Sequence, residues 1–289
     1  MTSTRLHVVY RSHGGENRKA RPGYYSKRLA LASFVAALSA VRDRADALFL
    51  NDGPIPADRL ALMAPAGEVR AVRGGSNRRS FRAAVALAAR RRPGPHDLVW
   101  FAEDDYLYAP DALARLLAAA DRIGDADYFS LYGRLALDPA SPRAATRFRS
   151  PDGAAAAPEA VDLDGTRWYR AASTTSTFGV RGHVLARDAR LLRTMPFTGG
   201  AWDHATCLAV QGRAPYTWEE VRTDLLPAGP DRPRAVLRGL ARGAAVVRSR
   251  RRPGLRRQLW AADPEPVTHL EEDGLAPGTD WAALADQVR

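Results

Sequence analysis

The chain has 289 residues, 46% of them hydrophobic, enough to bury one sizeable core and to exclude disorder throughout. The formal net charge of +11 is unevenly placed: residues 232–257 hold ten arginines and no acidic residue, and the remainder is close to neutral. That excludes a surface given over wholly to nucleic acid and points to one local basic element. Arg5–Tyr10 (RLHVVY) reads as a short buried strand, followed by the polar loop SHGGENRKARPG and a helix from about Tyr24 to Val41. A second strand, Ala47–Leu50, ends in Asn51, Asp52 and Gly53. A third, Glu68–Val72, ends in Gly74, Gly75, Ser76 and Asn77, where Ser76 or Asn77 can cap a helix carrying Phe81, Val85 and Ala88 at helical spacing. Leu98–Ala102 (LVWFA) is the strongest strand signal and runs straight into Glu103, Asp104 and Asp105, after which Pro110 opens another helix. Asp127–Tyr132 gives one more strand. Leu137–Glu159, rich in Pro, Ala and Ser, predicts a mobile surface loop; Trp168–Val180 predicts strands, and His183–Arg193 and Trp202–Gln211 predict helices.

Strands alternating with helices at these spacings predict an α/β sandwich with a mainly parallel sheet. Ligands of such sheets bind beyond the carboxyl ends of the strands, where Asp52, Asn77 and the acidic triplet all fall. Residues 1–230 are expected to form the main domain, with halves at about 1–135 and 160–230, and 231–289 a basic helix and tail. No apolar run approaches the ~20 residues of a membrane span, and MTSTRLHVVYRS lacks a secretory hydrophobic core, so a cytoplasmic protein is expected. The single cysteine, Cys207, excludes an intramolecular disulfide and a cysteine-cluster metal site and is expected to be a small buried residue.

Three successive carboxylates after an apolar strand raise one another's pKa unless cations or hydrogen bonds compensate. A hard divalent ion, Mg²⁺ or Mn²⁺, is the simplest compensation, because it takes carboxylate oxygens together with substrate phosphates. The alternative is a solvated acidic turn that caps the following helix through Asp105 or Asp111. No Gly-Lys dipeptide occurs, so there is no P-loop, and neither G-x-G-x-x-G after the first strand nor G-x-S-x-G is present. A conventional kinase, dehydrogenase or serine hydrolase is thereby disfavoured.

The run LVWFAEDDYLYAP resembles the acidic DxD-type motif of GT-A glycosyltransferases of the family 2 type, in an E-D-D form, and GGSNRRSFRAAVALAA resembles their Asn-containing loop and helix. The resemblance spans about Arg5 to Arg213 and implies a Rossmann-like α/β/α fold that transfers a sugar from a nucleotide diphosphate to an acceptor. It implies Asp105 as principal metal ligand, Glu103 and Asp104 near the ribose or metal-bound phosphates, and Tyr10, Arg11, Asn51, Asp52 and Asn77 around the nucleotide. TGGAWDHATCLAVQGR resembles the stretch that holds the catalytic base of inverting members, which makes Asp203 the candidate general base, although Trp202-Asp203 replaces the usual acidic pair. As a residue alone, Asp203 equally suits a cap for a helix beginning at His204. The acceptor is expected between Asp203 and the segment Ser173–Phe178, including Thr175, with Trp202 stacked on a sugar or simply in the core. His269, in PEPVTHLEEDG, matches a late histidine that some GT-A enzymes place on the metal; a surface histidine beside Glu271 is the alternative.

The segment 232–257 predicts an amphipathic helix with Val236, Leu240, Ala244 and Val247 on one face and Arg234, Arg238 and Arg242 on another. It suits peripheral contact with an anionic membrane, contact with a lipid-linked or phosphorylated acceptor, an arginine lid over the donor diphosphate, or a solvated helix packed on the domain. The expected partners are a nucleotide-diphosphate sugar and a sugar, lipid-linked or small-molecule acceptor, with no specific nucleic acid. Two other functions fit parts of the sequence: a sugar nucleotidyltransferase, and a non-catalytic protein that binds polyanions or membrane surfaces.

Overall fold

The computed structural model describes residues 3–16, 19–133, 135–137, 145–147, 160–227, 232–250 and 256–288. The expected loop between Leu137 and Glu159 lies outside these residues except for Leu137 and 145–147. The alternation of short apolar runs with helix-period stretches gives β1 (Leu6–His13), α1 (Lys27–Ser39), β2 (Ala45–Asp52), α2 (Ala57–Met63), β3 (Glu68–Val72), α3 (Asn77–Arg90) and β4 (Leu98–Glu103). These strands lie in the order β3-β2-β1-β4, each pair parallel. In register, Arg11 of β1 sits between Leu50 of β2 and Glu103 of β4, so the carboxyl ends of the three strands come level. α1 starts at Lys27 because the Ser26 hydroxyl caps it, accepting from the Leu29 amide, and Ser76 caps α3 in the same way.

The second half contains β5 (Tyr106–Tyr108), α4 (Ala112–Arg122), β6 (Tyr128–Ser130), β7 (Leu135–Leu137), β8 (Ala145–Arg147), β9 (Ala160–Leu163), β10 (Thr166–Ser173) and β11 (Phe178–Arg181). It continues with α5 (Gly182–Thr194), α6 (Trp202–Val210), α7 (Trp218–Leu225), α8 (Arg232–Arg250), β12 (Leu259–Asp263), β13 (Val267–His269) and α9 (Trp281–Val288). Beyond β4 the sheet runs β11-β6-β12-β10-β7-β8 and becomes mixed, with β11 antiparallel to both neighbours and β6 parallel to β12. One face buries Tyr10, Phe34, Leu117 and Trp281 under α1, α4 and α9; the other buries Leu50, Phe81, Leu185 and Val246 under α3, α5, α6 and α8. This is the expected α/β/α sandwich. Residues 256–288 are no mere tail, however: β12 lies inside the sheet, α9 enters the core, and β13 pairs with β5 in a separate antiparallel ribbon.

The basic helix packs on the domain through only part of its surface. Ala235, Ala245 and Val246 pack inward, while Leu240 and Ala244 of the predicted apolar face are exposed. Arg238 and Arg242 instead turn toward the domain, where both pair with the nearly buried Asp224 of α7. α7 itself is announced locally by a capping box, Thr217 with Glu220.

Two polar arrangements, one buried and one half-buried, hold the end of the sheet opposite the acidic triplet. Arg181, 5% exposed, donates to the carbonyls of Ala120, Ile123, Ala126 and His96, so it satisfies carbonyls at and just beyond the end of α4. Burial pulls its pKa down without removing the charge. We expect Arg181→Leu to cost about 3 kcal/mol in urea denaturation, since these carbonyls would remain buried without donors. His7 of β1 lies between two carboxylates, with Nδ1 2.7 Å from Asp46 and Nε2 3.0 Å from Asp97. Its pKa is raised, chiefly by the Asp46 hydrogen bond. Burial pushes Asp46 and Asp97 upward, but His7 together with Arg91 at Asp46 and the Gly94 amide at Asp97 overcomes it and both are lowered. A raised histidine contributes stability below its unfolded value of about 6.5 that is lost as pH rises through the folded value. The lowered carboxylates contribute above about 3.8 and lose that contribution in more acid solution. His7→Gln should therefore lower the melting temperature clearly at mildly acidic pH and little at alkaline pH; an equal loss at both would contradict the imidazolium bridge.

Candidate active site

A cleft of about 540 Å³ opens at the carboxyl ends of β1, β2 and β4, and its walls include Asp52, Asn77, the whole acidic triplet, Thr175, Asp203 and His269. The three carboxylates of the triplet diverge from β4 to three different partners. Glu103 accepts from Arg11 Nη2 at 2.6 Å and from Ser176 Oγ at 3.0 Å. Arg11 also donates to Asn77 Oδ1 at 2.7 Å, and its guanidinium lies over the Phe81 ring. Asp104 accepts from the His13 amide at 2.7 Å and lies 3.1 Å from Lys27 Nζ, with Arg59 at 3.6 Å. Asp105 meets Arg21 Nη2 and His269 Nε2, each at 3.1 Å.

His269 comes from the other end of the chain. The β13–β5 ribbon sets it opposite Tyr106, on whose ring it stacks, and the Leu270 amide donates to the Asp105 carbonyl at 2.9 Å. The imidazole also lies 3.3 Å from Glu271, whose carboxylate is paired with Lys19. Electrostatics separate the triplet. Burial pushes Glu103 and Asp104 above the usual carboxylate range, against the pull of Arg11 and Lys27 respectively. Burial acts on Asp105 in the same direction, but the His269 hydrogen bond and charge together with Arg21 overcome it and hold Asp105 well below that range. Asp105 is thus the member of the triplet held most firmly as an anion.

The donor atoms of Asp105, His269 and Glu271 lie within 4.8 Å of one another, a group of two carboxylates and one imidazole. The set fits a divalent ion. Its mixed oxygen and nitrogen donors suit Mn²⁺ better than Mg²⁺, which prefers oxygen ligands and retains much of its water. Glu271 was not among the ligands expected from the sequence, and neither were the flanking cations Arg21, Lys27 and Arg59. One sequence signal for them existed: Lys19 and Lys27 are the only lysines in the chain, and each pairs with a carboxylate of this site.

Other expected residues divide between cleft and core. Asp52 lines the cleft and accepts from the amides of Gly74 and Gly75, fixing the turn into α3; Gly75 has φ +64°, and a Cβ on Gly74 would run into the Asp52 carboxylate. Tyr10 and Asn51, expected beside the nucleotide, do not reach the cleft. Strand alternation sends Tyr10 to the opposite face from Arg11, into the core against Phe34 and Phe49, and Asn51 is buried against Met63. Thr175 Oγ1 accepts from the Tyr106 hydroxyl at 2.8 Å. α6 begins at Trp202 with Ala201 as its cap residue, so Asp203 lies in the first turn and is not the cap. Trp202 packs on Phe81 at 4.8 Å, facing a small apolar cavity beside the cleft and not the cleft itself. Cys207 lines that cavity too, and burial pushes its thiol up to about 12.

No protein-family model matches the sequence, and no curated protein matches it. Among solved structures, S. aureus TarS 1-349 aligns over 86% of this chain and 74% of its own at 12% identity, TM-score 0.45. A 4-diphosphocytidyl-2C-methyl-D-erythritol synthase aligns over 73% of this chain and 87% of its own at 16% identity, TM-score 0.38. A mycobacterial protein aligns over 44% of this chain, which spans only 40% of that protein, at 11% identity and TM-score 0.32. Similarities of this size assign no activity.

The geometry makes Arg11 the support of the triplet's first member. Arg11→Met should destabilise the fold by about 3 kcal/mol in urea denaturation, because Glu103 keeps its burial and loses its cation. Adding Glu103→Gln should recover part of that loss, and strict additivity of the two changes would contradict the pairing.

Proposed function

We propose that this protein is a metal-assisted glycosyltransferase that moves a sugar from a nucleoside diphosphate to an acceptor hydroxyl with inversion at the anomeric carbon. The observation that carries the reading is that one cleft is lined by a potential metal ligand held as an anion, Asp105, and, from another element, by the unpaired-in-sequence carboxylate Asp203. Such a cleft has the two things the reaction needs: a place for the diphosphate and a base for the acceptor. Asp105, His269 and Glu271 would hold the metal, which when bound supplies positive charge to the departing diphosphate. The amino end of α3, at Ser76 and Asn77, borders the same space and favours an anionic ligand there.

In this reading Asp203 takes the proton of the acceptor hydroxyl as its oxygen bonds to the anomeric carbon, while the bond from that carbon to the diphosphate breaks and its electron pair leaves with the phosphate. Thr175 and Ser176 line the same cleft and would orient the acceptor. An arginine lid over the donor does not fit the placement of α8: Arg238 and Arg242 are occupied by Asp224, and Arg242 also by the Thr198 carbonyl.

Calorimetric titration with UDP, GDP and dTDP, each with Mn²⁺ and with EDTA, tests the reading. One of the three should bind in a metal-dependent way, and Asp105→Asn should abolish that dependence in a protein whose circular dichroism is unchanged. No binding by the folded protein would sink the proposal, and full metal-dependent binding by the variant would remove Asp105 from it. Asp203→Asn should keep nucleotide binding and lower release of nucleoside diphosphate from the donor by about 10²- to 10⁴-fold, the usual contribution of a positioned base.

A further inference from the structure

α8 turns the usual surface-helix pattern around. Arg238 and Arg242 face inward, with Asp224 at 2.6 and 3.0 Å and the Tyr216 ring under Arg242. The outward face is apolar. Leu237 and Leu240, neighbours at i and i+3, are 67% and 58% exposed, and Ala244 continues the row one turn on. Leu226, just past the end of α7, is 74% exposed, and the two helices are packed together, with Leu225 against Gly239. Single exposed leucines are ordinary, but two neighbouring leucines on one helix face, each more than half exposed, call for a cover.

The charge around this row identifies the cover. Arg232 and Arg234 are exposed at the start of α8 and Arg248 is half-exposed near its end, with no acidic residue anywhere on the helix. A second copy of the chain would bring two such fields together, and like charges disfavour that contact. An anionic surface with an apolar interior suits both features. No helix among the described residues is long and apolar enough to cross a membrane, so the contact would lie in the plane of the interface. We propose that the outward face of α8, together with Leu226, docks on an anionic lipid bilayer, with the leucines at the boundary of headgroups and acyl chains and the arginines on lipid phosphates. The inward side of the same helix grips the segment leading to Asp203, since Arg242 donates to the Thr198 carbonyl at 3.0 Å and Arg238 packs on Gly199. Docking therefore takes place beside the Asp203 wall of the cleft. The inference does not depend on the transferase reading.

The test is co-sedimentation of the full chain with vesicles of phosphatidylcholine mixed with phosphatidylglycerol, and with vesicles of phosphatidylcholine alone. The protein should sediment with the mixed vesicles only, less so at high salt, and the double variant Leu237→Gln/Leu240→Gln should bind about tenfold more weakly or worse. Because both leucines are exposed, the variant should keep its circular dichroism and any nucleotide binding; Leu226→Gln provides an independent second change. Absence of binding to the mixed vesicles would overturn the proposal. So would binding unaffected by either leucine change, which would mark a purely electrostatic polyanion site. A concentration-dependent dimer that the double variant abolishes, without vesicle binding, would assign the face to a second copy instead.

Discussion

Glu103, Asp104 and Asp105 leave a fully buried strand on three successive residues, and anions so close coexist only when each is separately compensated. The structure around the cleft follows from meeting that constraint. Arg11 reaches Glu103 from the neighbouring strand, Lys27 reaches Asp104 from the first turn of α1, and His269 with Arg21 reaches Asp105 from the C-terminal ribbon and the β1–α1 loop. Elements from both ends of the chain are therefore tied to one turn. This explains why β13 and β5 form a ribbon apart from the main sheet: the ribbon sets His269 against Tyr106 and the Leu270 amide on the Asp105 carbonyl.

The same compensation changes how a metal would enter. Asp105 and Glu271 are already paired with Arg21 and Lys19, so a divalent ion arriving there would exchange with organic cations and would not fill a bare acidic hole. Exchange of like for like keeps the local charge steadier than simple addition, which matters at a site where burial makes any uncompensated charge costly. Of the three triplet members only Asp105 is suited to this, because the others are committed to joints of the fold. Asp104 ties the end of β1 to α1, and Glu103 ties β1 to the segment after β10.

Much of this was legible from residue order, and the remainder was not for identifiable reasons. Short apolar runs ending in polar residues marked β1, β2 and β4, and strand-end logic brought Asp52, Asn77 and the triplet to one edge. Periodicity shows that Tyr10 and Arg11 point to opposite faces but not which face holds the cleft, and the guess that both line it fails on that alternation. The distance between Asp105 and His269, 164 residues apart, is set by a ribbon of two three-residue strands too short to stand out in sequence. Glu271 and Arg21 depend on that same long-range closure, while Lys27 is placed by the fold of the β1–α1 loop onto Asp104. For α8 the helical period was legible while the buried side was not. The deciding residue, Asp224, lies on α7, and its nearly buried carboxylate draws the arginines inward and leaves the leucines outside.

That inversion bears on how the two walls of the cleft are joined. Glu103 accepts from Arg11 on one side and Ser176 on the other, so the parallel strands β1 and β4 and the 174–177 segment share one carboxylate. Beyond that segment, the Thr174 amide lies 3.4 Å from Cys207 Sγ in α6, the helix that carries Asp203. On its outer side α6 follows Thr198 and Gly199, which α8 holds through Arg242 and Arg238. A chain of direct contacts thus runs from the acidic turn through α6 to the outward-facing leucines. Gly199 and Gly200, both at positive φ, make the turn between the segment α8 grips and the helix bearing Asp203. The helix that carries Asp203 is therefore braced by α8 both directly and through the segment before it, while Asp105 is held from both ends of the chain.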